Sequence, residues 1–203
     1  MSITNGYITL GSLADEMGIA DAEDDTRLEA AIASASRQID AHCGRRFWQD
    51  SAVVARTYAA TNRTMLMVDD ISTRTGLVVK IDDDDDGVYE TTLTETTDFL
   101  LAPLNALLEV PARPFEELVL VDNYYWPQWR RPGVEVTAKF GWPAIPDDVA
   151  TACTIQAKNL YKVTGSGVFG SMQLSVDGIP MRIPGLDYVA KALLEPYRKV
   201  VIG

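Results

Sequence analysis

Residues 24–47 read DDTRLEAAIASASRQIDAHCGRRF. Apolar side chains recur at Leu28, Ala31, Ile32, Ala35, Ile39 and Cys43, with His42 on the same stripe. This is the i, i+3, i+4, i+7 spacing of one helical face. Thr26 followed by Glu29 fits a capping box, in which each side chain satisfies a free amide at the helix start. Asp24 and Asp25 suit the positive end of the helix dipole. Gly44 accepts the left-handed turn that ends a helix, and Arg45 and Arg46 sit where cations favour a C-terminus. The stripe is rich in Ala and Ser, so a second helix can approach closely. The stretch is read as the spine on which the other helices pack.

Ahead of the spine, residues 1–23 hold one short helix, with Ser12 and Asp15 as its cap, Leu13 and Met17 on its apolar side and Gly18 at its end. Ile3 and Ile8 anchor the arm before it. Behind the spine the pattern changes. Thr, Val and Tyr become common and the helical period disappears. Strands are expected over 53–58, 64–68, 76–81, 87–93, 98–101, 117–121 and 133–140, with prolines at 103, 111, 114, 127 and 132 punctuating the connections. From Pro146, Asp147 and Asp148 a helix runs to about residue 163, with Val149, Ala152, Cys153, Gln156, Ala157, Leu160 and Tyr161 on one face. A Gly-rich break and an extended arm follow. A last helix carries Leu186, Val189, Ala190, Leu193, Leu194 and Tyr197, and Pro196 should distort its final turn. The expected class is α+β: a small helical bundle, an inserted antiparallel β module and an extended C-terminal arm. The divisions fall at 1–50 (helical core, first part), 51–141 (β module), 142–164 (helical core, second part) and 165–203 (arm and final helix).

At 203 residues and 47% hydrophobic, the chain can build one sizeable core or one domain with a large insert. The two cysteines, Cys43 and Cys153, both fall on apolar helix faces and read as buried thiols rather than a disulfide. Nothing at the N-terminus resembles a signal peptide and no apolar run is long enough to span a bilayer, so a soluble protein made in a reducing cytoplasm is expected. The formal net charge is −11. Sequence-independent DNA binding needs surplus Lys and Arg against phosphate. Any encounter with DNA should therefore be with a surface that the polymer slides past.

Three blocks together carry a family resemblance: the spine ending in Cys43-Gly44-Arg45-Arg46-Phe47, the segment VEVTAKFGWPAIPDDVATACTIQAKNLY at 134–161, and LDYVAKALLEPYR at 186–198. In this order and spacing they resemble the head-to-tail connector (adaptor) proteins of long-tailed bacteriophages. The resemblance covers about the first fifty and the last seventy residues, and the β insert matches only as a variable middle. It implies a structural virion protein in the neck, assembled in the host cytoplasm and without enzymatic activity. Such adaptors form a ring, commonly of twelve copies, beneath the portal. They join the portal to the next neck, stopper or tail-completion protein and leave a channel for DNA, without specific DNA binding, cofactor or membrane. The C-terminal segment often docks on the portal.

Other motifs in the chain have plainer readings. Asp82, Asp84 and Asp86 with Gly87 match positions one, three, five and six of an EF-hand loop, but position twelve is Leu93 rather than Glu. A hairpin tip with solvated carboxylates is the plainer reading. A metal-dependent enzyme built on Asp82–Asp86, or a generic protein-binding module, are the competing functions. Residues 165–170 match G-x-G-x-x-G, yet a helix precedes them and extended chain follows, the reverse of a dinucleotide site. His42 is the single histidine and, on a helix, does not face Cys43. No catalytic, cofactor or metal residue is assigned. The best interaction segment is Tyr124-Tyr125-Trp126-Pro127-Gln128-Trp129-Arg130-Arg131, rich in the residue types of binding hot spots. The alternative is that Trp126 and Trp129 fold back to cover the sheet, and both readings stay open here. The candidate interface residues are Arg45, Arg46, Tyr124, Tyr125, Trp126, Trp129, Arg130, Leu186 and Tyr197. One of the two arginines is expected to cap the spine and the other to meet an acidic neighbour.

Overall fold

The computed structural model describes residues 3–121, 125–128, 131–165, 173–174, 180–181 and 185–199. The fold is α+β, and the chain divides into two compact units, Met1–Phe47 with Ile145–Gly203, and Trp48–Ala144. No helix among the described residues is long and apolar enough to cross a membrane.

The first unit is helical. Helix α1 (Leu10–Met17) ends at Gly18 in the left-handed conformation, as its sequence requires. Its cap differs from expectation. Thr9, not Ser12, is the N-cap, and its hydroxyl accepts the Ser12 amide at 3.1 Å. Helix α2 (Asp25–Cys43) is the spine, and it buries Leu28, Ala31, Ile32, Ala35, Ser36, Ile39 and Cys43 along one stripe. Its capping box does not form: Thr26 lies inside the first turn, and Asp24 is the N-cap without a side-chain capping bond. The Asp24 carboxylate is used elsewhere, accepting from Tyr161 Oη at 2.7 Å and Arg27 Nη1 at 2.5 Å. Gly44 closes the helix with φ 64°, and the Lys199 amide satisfies the Cys43 carbonyl at 2.8 Å.

Helix α3 (Asp147–Gly165) packs on α2, with Ser36 Oγ 3.5 Å from Cys153 Sγ, and both helices bury small residues, Ala31 and Ala35 on α2, Ala152 and Ala157 on α3. Gln156, also buried, donates to Gln38 at 2.7 Å and accepts the Asp187 amide at 2.9 Å. Asp187 in turn caps α4 (Tyr188–Leu194), accepting from the Val189 amide at 2.8 Å. A 3₁₀ turn, Glu195–Tyr197, replaces the last helical turn where Pro196 has no amide to donate. Tyr7, Phe47 and Tyr197 stack edge to face, with both centroid separations 5.7 Å. Cys43 and Cys153 are free and buried.

The second unit is β. Among the described residues it holds β1 (Val54–Tyr58), β2 (Met65–Ile71), β3 (Val78–Ile81), β4 (Thr91–Leu93), β5 (Phe99–Ala102), β6 (Phe115–Leu120) and β7 (Val134–Ala138). All pair antiparallel, in the orders β1-β7-β3-β4 and β2-β6-β5. Isolated bridges Ile71–Phe140 and Glu95–Phe99 join the margins of the two sheets. Strand β2 alternates exposed and buried from Met65 to Asp70, as a half-buried strand must. The inward side chains, among them Leu66, Val68, Phe99, Leu118, Val136 and Phe140, make one apolar cluster. Beyond these units' main elements, Gln173–Leu174 and Pro180–Met181 form a short antiparallel pair, β8 and β9, within the arm.

Candidate functional site

The loop between β3 and β4 gathers the acidic run. Asp82 is fully buried, and its carboxylate accepts the amides of Asp85 at 2.8 Å, Gly87 at 2.9 Å and Asp84 at 3.2 Å. Burial opposes ionisation of Asp82, yet these amides outweigh it and hold the carboxyl below the usual carboxylate range. Gly87 has φ 91°, which L side chains rarely adopt. Arg131 Nη1 lies across the turn, donating to the carbonyls of Asp86 at 3.0 Å and Asp85 at 3.2 Å. One carboxylate oxygen each from Asp82, Asp84, Asp86 and Glu90 lie within 4.8 Å of one another. The chemistry of an EF-hand is nevertheless missing its closing ligand: Leu93, at position twelve, is a buried residue of β4. Asp82 serves first as the organiser of a hairpin turn.

Of the aromatic segment, residues 125–128 share a cleft with Asp82 and Asp83 of this turn. Trp126 is 2% exposed and belongs to the apolar cluster of the module, with its amide donating to the Arg63 carbonyl at 2.8 Å. Of the two open readings of Trp126, its burial agrees with the one in which the indole covers the core, and the backbone bond to Arg63 holds the chain there. Tyr125, by contrast, is 57% exposed, with the Arg63 guanidinium 4.8 Å from its ring centre. Tyr125, Trp126, Arg63, Asp82, Asp83 and Gln128 line an open cleft of about 310 Å³. Tyr124, Trp129 and Arg130 lie outside the described residues, as do 166–170 of the glycine motif, whose first residue, Gly165, ends α3.

The remaining candidates sit in the helical unit. The candidate interface residues Leu186 and Tyr197 are buried within it, as the apolar face of the last helix requires, and Tyr197 Oη donates to Asp148 at 3.1 Å. The final segment spends its apolar face on α3, leaving Tyr188 outward instead. Arg45 and Arg46 are half-buried just past Gly44. Both act on their own chain: Arg46 favours the ionised form of Asp40, and Arg45 that of Cys43. Burial outweighs the latter and pushes the thiols of Cys43 and Cys153 up to about 11, far from nucleophilic use.

Two features escaped the sequence reading. Arg63 and Asp83 join Tyr125 only through folding, across more than forty residues of chain. The connection 103–114, marked in the sequence only by its prolines, exposes Leu104, Leu108 and Val110. The available signal was a set of aliphatic residues bounded by Pro103 and Pro111.

No protein-family profile matches the chain, and no curated protein does. Solved structures do. A chain from the neck of an empty gene transfer agent (GTA) particle, computed with C6 symmetry, superposes with TM-score 0.57 at 18% identity, covering 100% of this chain and 96% of that one. A chain from the neck of the native GTA particle, computed with C12 symmetry, gives TM-score 0.56 at 18% identity and the same coverage. A chain from the virion of the native GTA particle gives 0.53, again at 18% identity. What this chain has in common with all three is its fold, from one end to the other.

Proposed function

We propose that the chain is a structural subunit of a virion neck: a head-to-tail adaptor assembled as a ring of twelve copies. The ring joins the portal to a neck, stopper or tail-completion protein and leaves a channel for DNA. The observation that carries this reading is the end-to-end likeness to chains of GTA particle necks, 100% of this chain against 96% of theirs. Likeness over both units, helical and β, favours a shared role over reuse of one common piece. The C12 and C6 symmetries named for those necks support a ring. A net charge of −11 suits a conduit wall, because a like-charged surface does not hold the DNA that must slide through. Its work is assembly and sealing, with affinity drawn from many copies engaging at once. The protein then resides in the virion neck after assembly in the host cytoplasm.

The test is to mix the purified chain with portal rings encoded by the same genome and sediment the mixture. Co-migration as a ring on the portal is expected. Failure to bind any capsid component, together with metal-stimulated hydrolysis centred on Asp82–Asp86, reverses the reading in favour of an enzyme.

A further inference from the structure

Strand β6 has unlike ends. The loop 103–114 enters at Phe115, and the chain carrying Tyr125 and Trp126 leaves beyond Leu120. Six residues at about 3.3 Å each put these ends roughly 20 Å apart.

The entering loop presents aliphatic side chains to solvent: Leu104 is 60% exposed, Leu108 81% and Val110 98%. Its shape is fixed from within. Ala106 is fully buried and anchors it, the Arg113 amide donates to the Ala106 carbonyl at 2.9 Å, and the Leu108 amide to Asn105 at 2.8 Å. Its charges are one acid and one base, Glu109 and Arg113, 3.6 Å apart and each nearly half exposed. The leaving end is the open cleft of about 310 Å³, lined by Tyr125, Arg63 and the exposed Asp83 among others, with the Arg63 guanidinium 4.8 Å from the centre of the exposed Tyr125 ring. One end is therefore an aliphatic knob bearing an acid and a base. The other is an aromatic recess bearing a base and acids.

We infer that the 103–114 loop of one copy docks in the Tyr125 cleft of the next copy, with Arg113 against Asp83 and Glu109 against Arg63. Knob and recess stand at opposite ends of one strand, so they do not meet within a chain. Each copy offers one and receives one. A contact between unlike surfaces repeats from copy to copy and closes into a ring when the rotation allows. The charges select the occupant. Copies of a chain at −11 repel one another over most of their surface, and here each base faces an acid. Three exposed aliphatic side chains offer nothing to a phosphate backbone, which makes DNA a poor occupant. The contact rests on the neck reading for ring closure, but it is tested without any other virion component.

The experiment uses the full chain. Val110→Cys and Gln128→Cys are combined and mildly oxidised at high protein concentration; Cys43 and Cys153 are buried and add little background. A covalent series extending beyond the dimer is expected from the pair, and none from V110C alone. In a second arm, Arg113→Asp and Asp83→Arg should each weaken self-association, followed by sedimentation velocity, by at least about tenfold. Combining them in one chain should restore it to within about threefold of wild type, an outcome that damage to the hairpin turn by D83R cannot produce. A ladder absent or stopping at dimer overturns the inference, as does V110C linking to itself, since that is a knob-to-knob contact. So does a combined variant no better than its parents. Portal binding is scored separately: lost portal binding with an intact ladder removes the neck reading and leaves this contact, and the converse removes this contact alone.

Discussion

The hydroxyl of Ser36 on α2 stands 3.5 Å from the thiol of Cys153 on α3, and both residues are fully buried. Ser36 Oγ also donates to the Ile32 carbonyl at 2.8 Å and accepts the Tyr7 amide at 3.1 Å, so the seam between the two helices is polar, satisfied and tight. Added volume here has nowhere to go. Cys153→Leu should destabilise the helical unit by about 1–3 kcal/mol, the usual range for overpacking. Urea unfolding followed by helical circular dichroism checks it; an unchanged midpoint would mean that the seam is looser than the contact distance states. The same burial keeps both thiols protonated, so alkylation at neutral pH should be slow until the helices unfold.

Tyr125 and Trp126 are neighbours with opposite fates, and substitution should separate them. Trp126→Ala removes a buried indole and should cost the β unit about 3–5 kcal/mol. Tyr125→Ala removes an exposed ring and should alter stability by no more than about 0.5 kcal/mol. All the tryptophans, Trp48, Trp126, Trp129 and Trp142, fall in the unit Trp48–Ala144, so their fluorescence reports on that unit alone. Equal effects of the two substitutions on the fluorescence midpoint would contradict the burial assigned to them.

Gly141 is a place where a side chain is excluded twice. Its φ is 112°, and a Cβ built on it meets the Trp48 carbonyl oxygen at 2.0 Å. The amide of Gly141 is also used, donating to Asp70 at 2.7 Å. Gly141→Ala should therefore destabilise the β unit by more than about 1 kcal/mol, reversing the small gain that Gly→Ala gives at a compatible site. Gly11, in α1 with open space around it, is the control, and Gly11→Ala should show no such loss when the helical unit is followed by circular dichroism.

The contrast between local and distant signals explains what could be read from the chain. The α2 stripe and the strand segments announce themselves through period, which neighbouring residues carry among themselves. The cap did not: Thr26 and Glu29 have the right spacing, but Asp24 is engaged by Tyr161, 137 residues away, and the helix begins without the box. Pairing order is equally hidden, since β7 lies between β1 and β3 although both precede it by more than fifty residues. Trp126 shows the limit for site residues. Composition marks an aromatic segment as sticky, and only the backbone bond to Arg63 reveals which ring turns inward. The acid cluster was legible as a run, whereas the amide-capping role of Asp82 depends on the turn's full geometry.

Two carboxylates should give the two units opposite responses to acid. Asp82 has its folded-state pKa held below the unfolded value, against the effect of its burial, by the amides of Gly87, Asp84 and Asp85. Its contribution is therefore present above the unfolded carboxylate range, near pH ~4, and is lost as pH falls through the folded value. Asp40 is raised, chiefly by burial, against the Tyr7 hydroxyl and the charges of Arg37 and Arg46. Its contribution is present below that range and is lost as pH rises through its folded value. Acidification should thus loosen the fluorescence-reported β unit through Asp82 while Asp40 partly supports the helices. Asp82→Asn should lower the stability of the β unit at neutral pH and flatten its acid slope. Asp40→Asn should flatten the helical slope just above the ordinary carboxylate range and leave the fluorescence midpoint unmoved. Thermal melts at stepped pH, read by tryptophan fluorescence and by helical circular dichroism, test both. An acid slope in D82N equal to wild type would show that the buried carboxylate does not hold the turn in its ionised form.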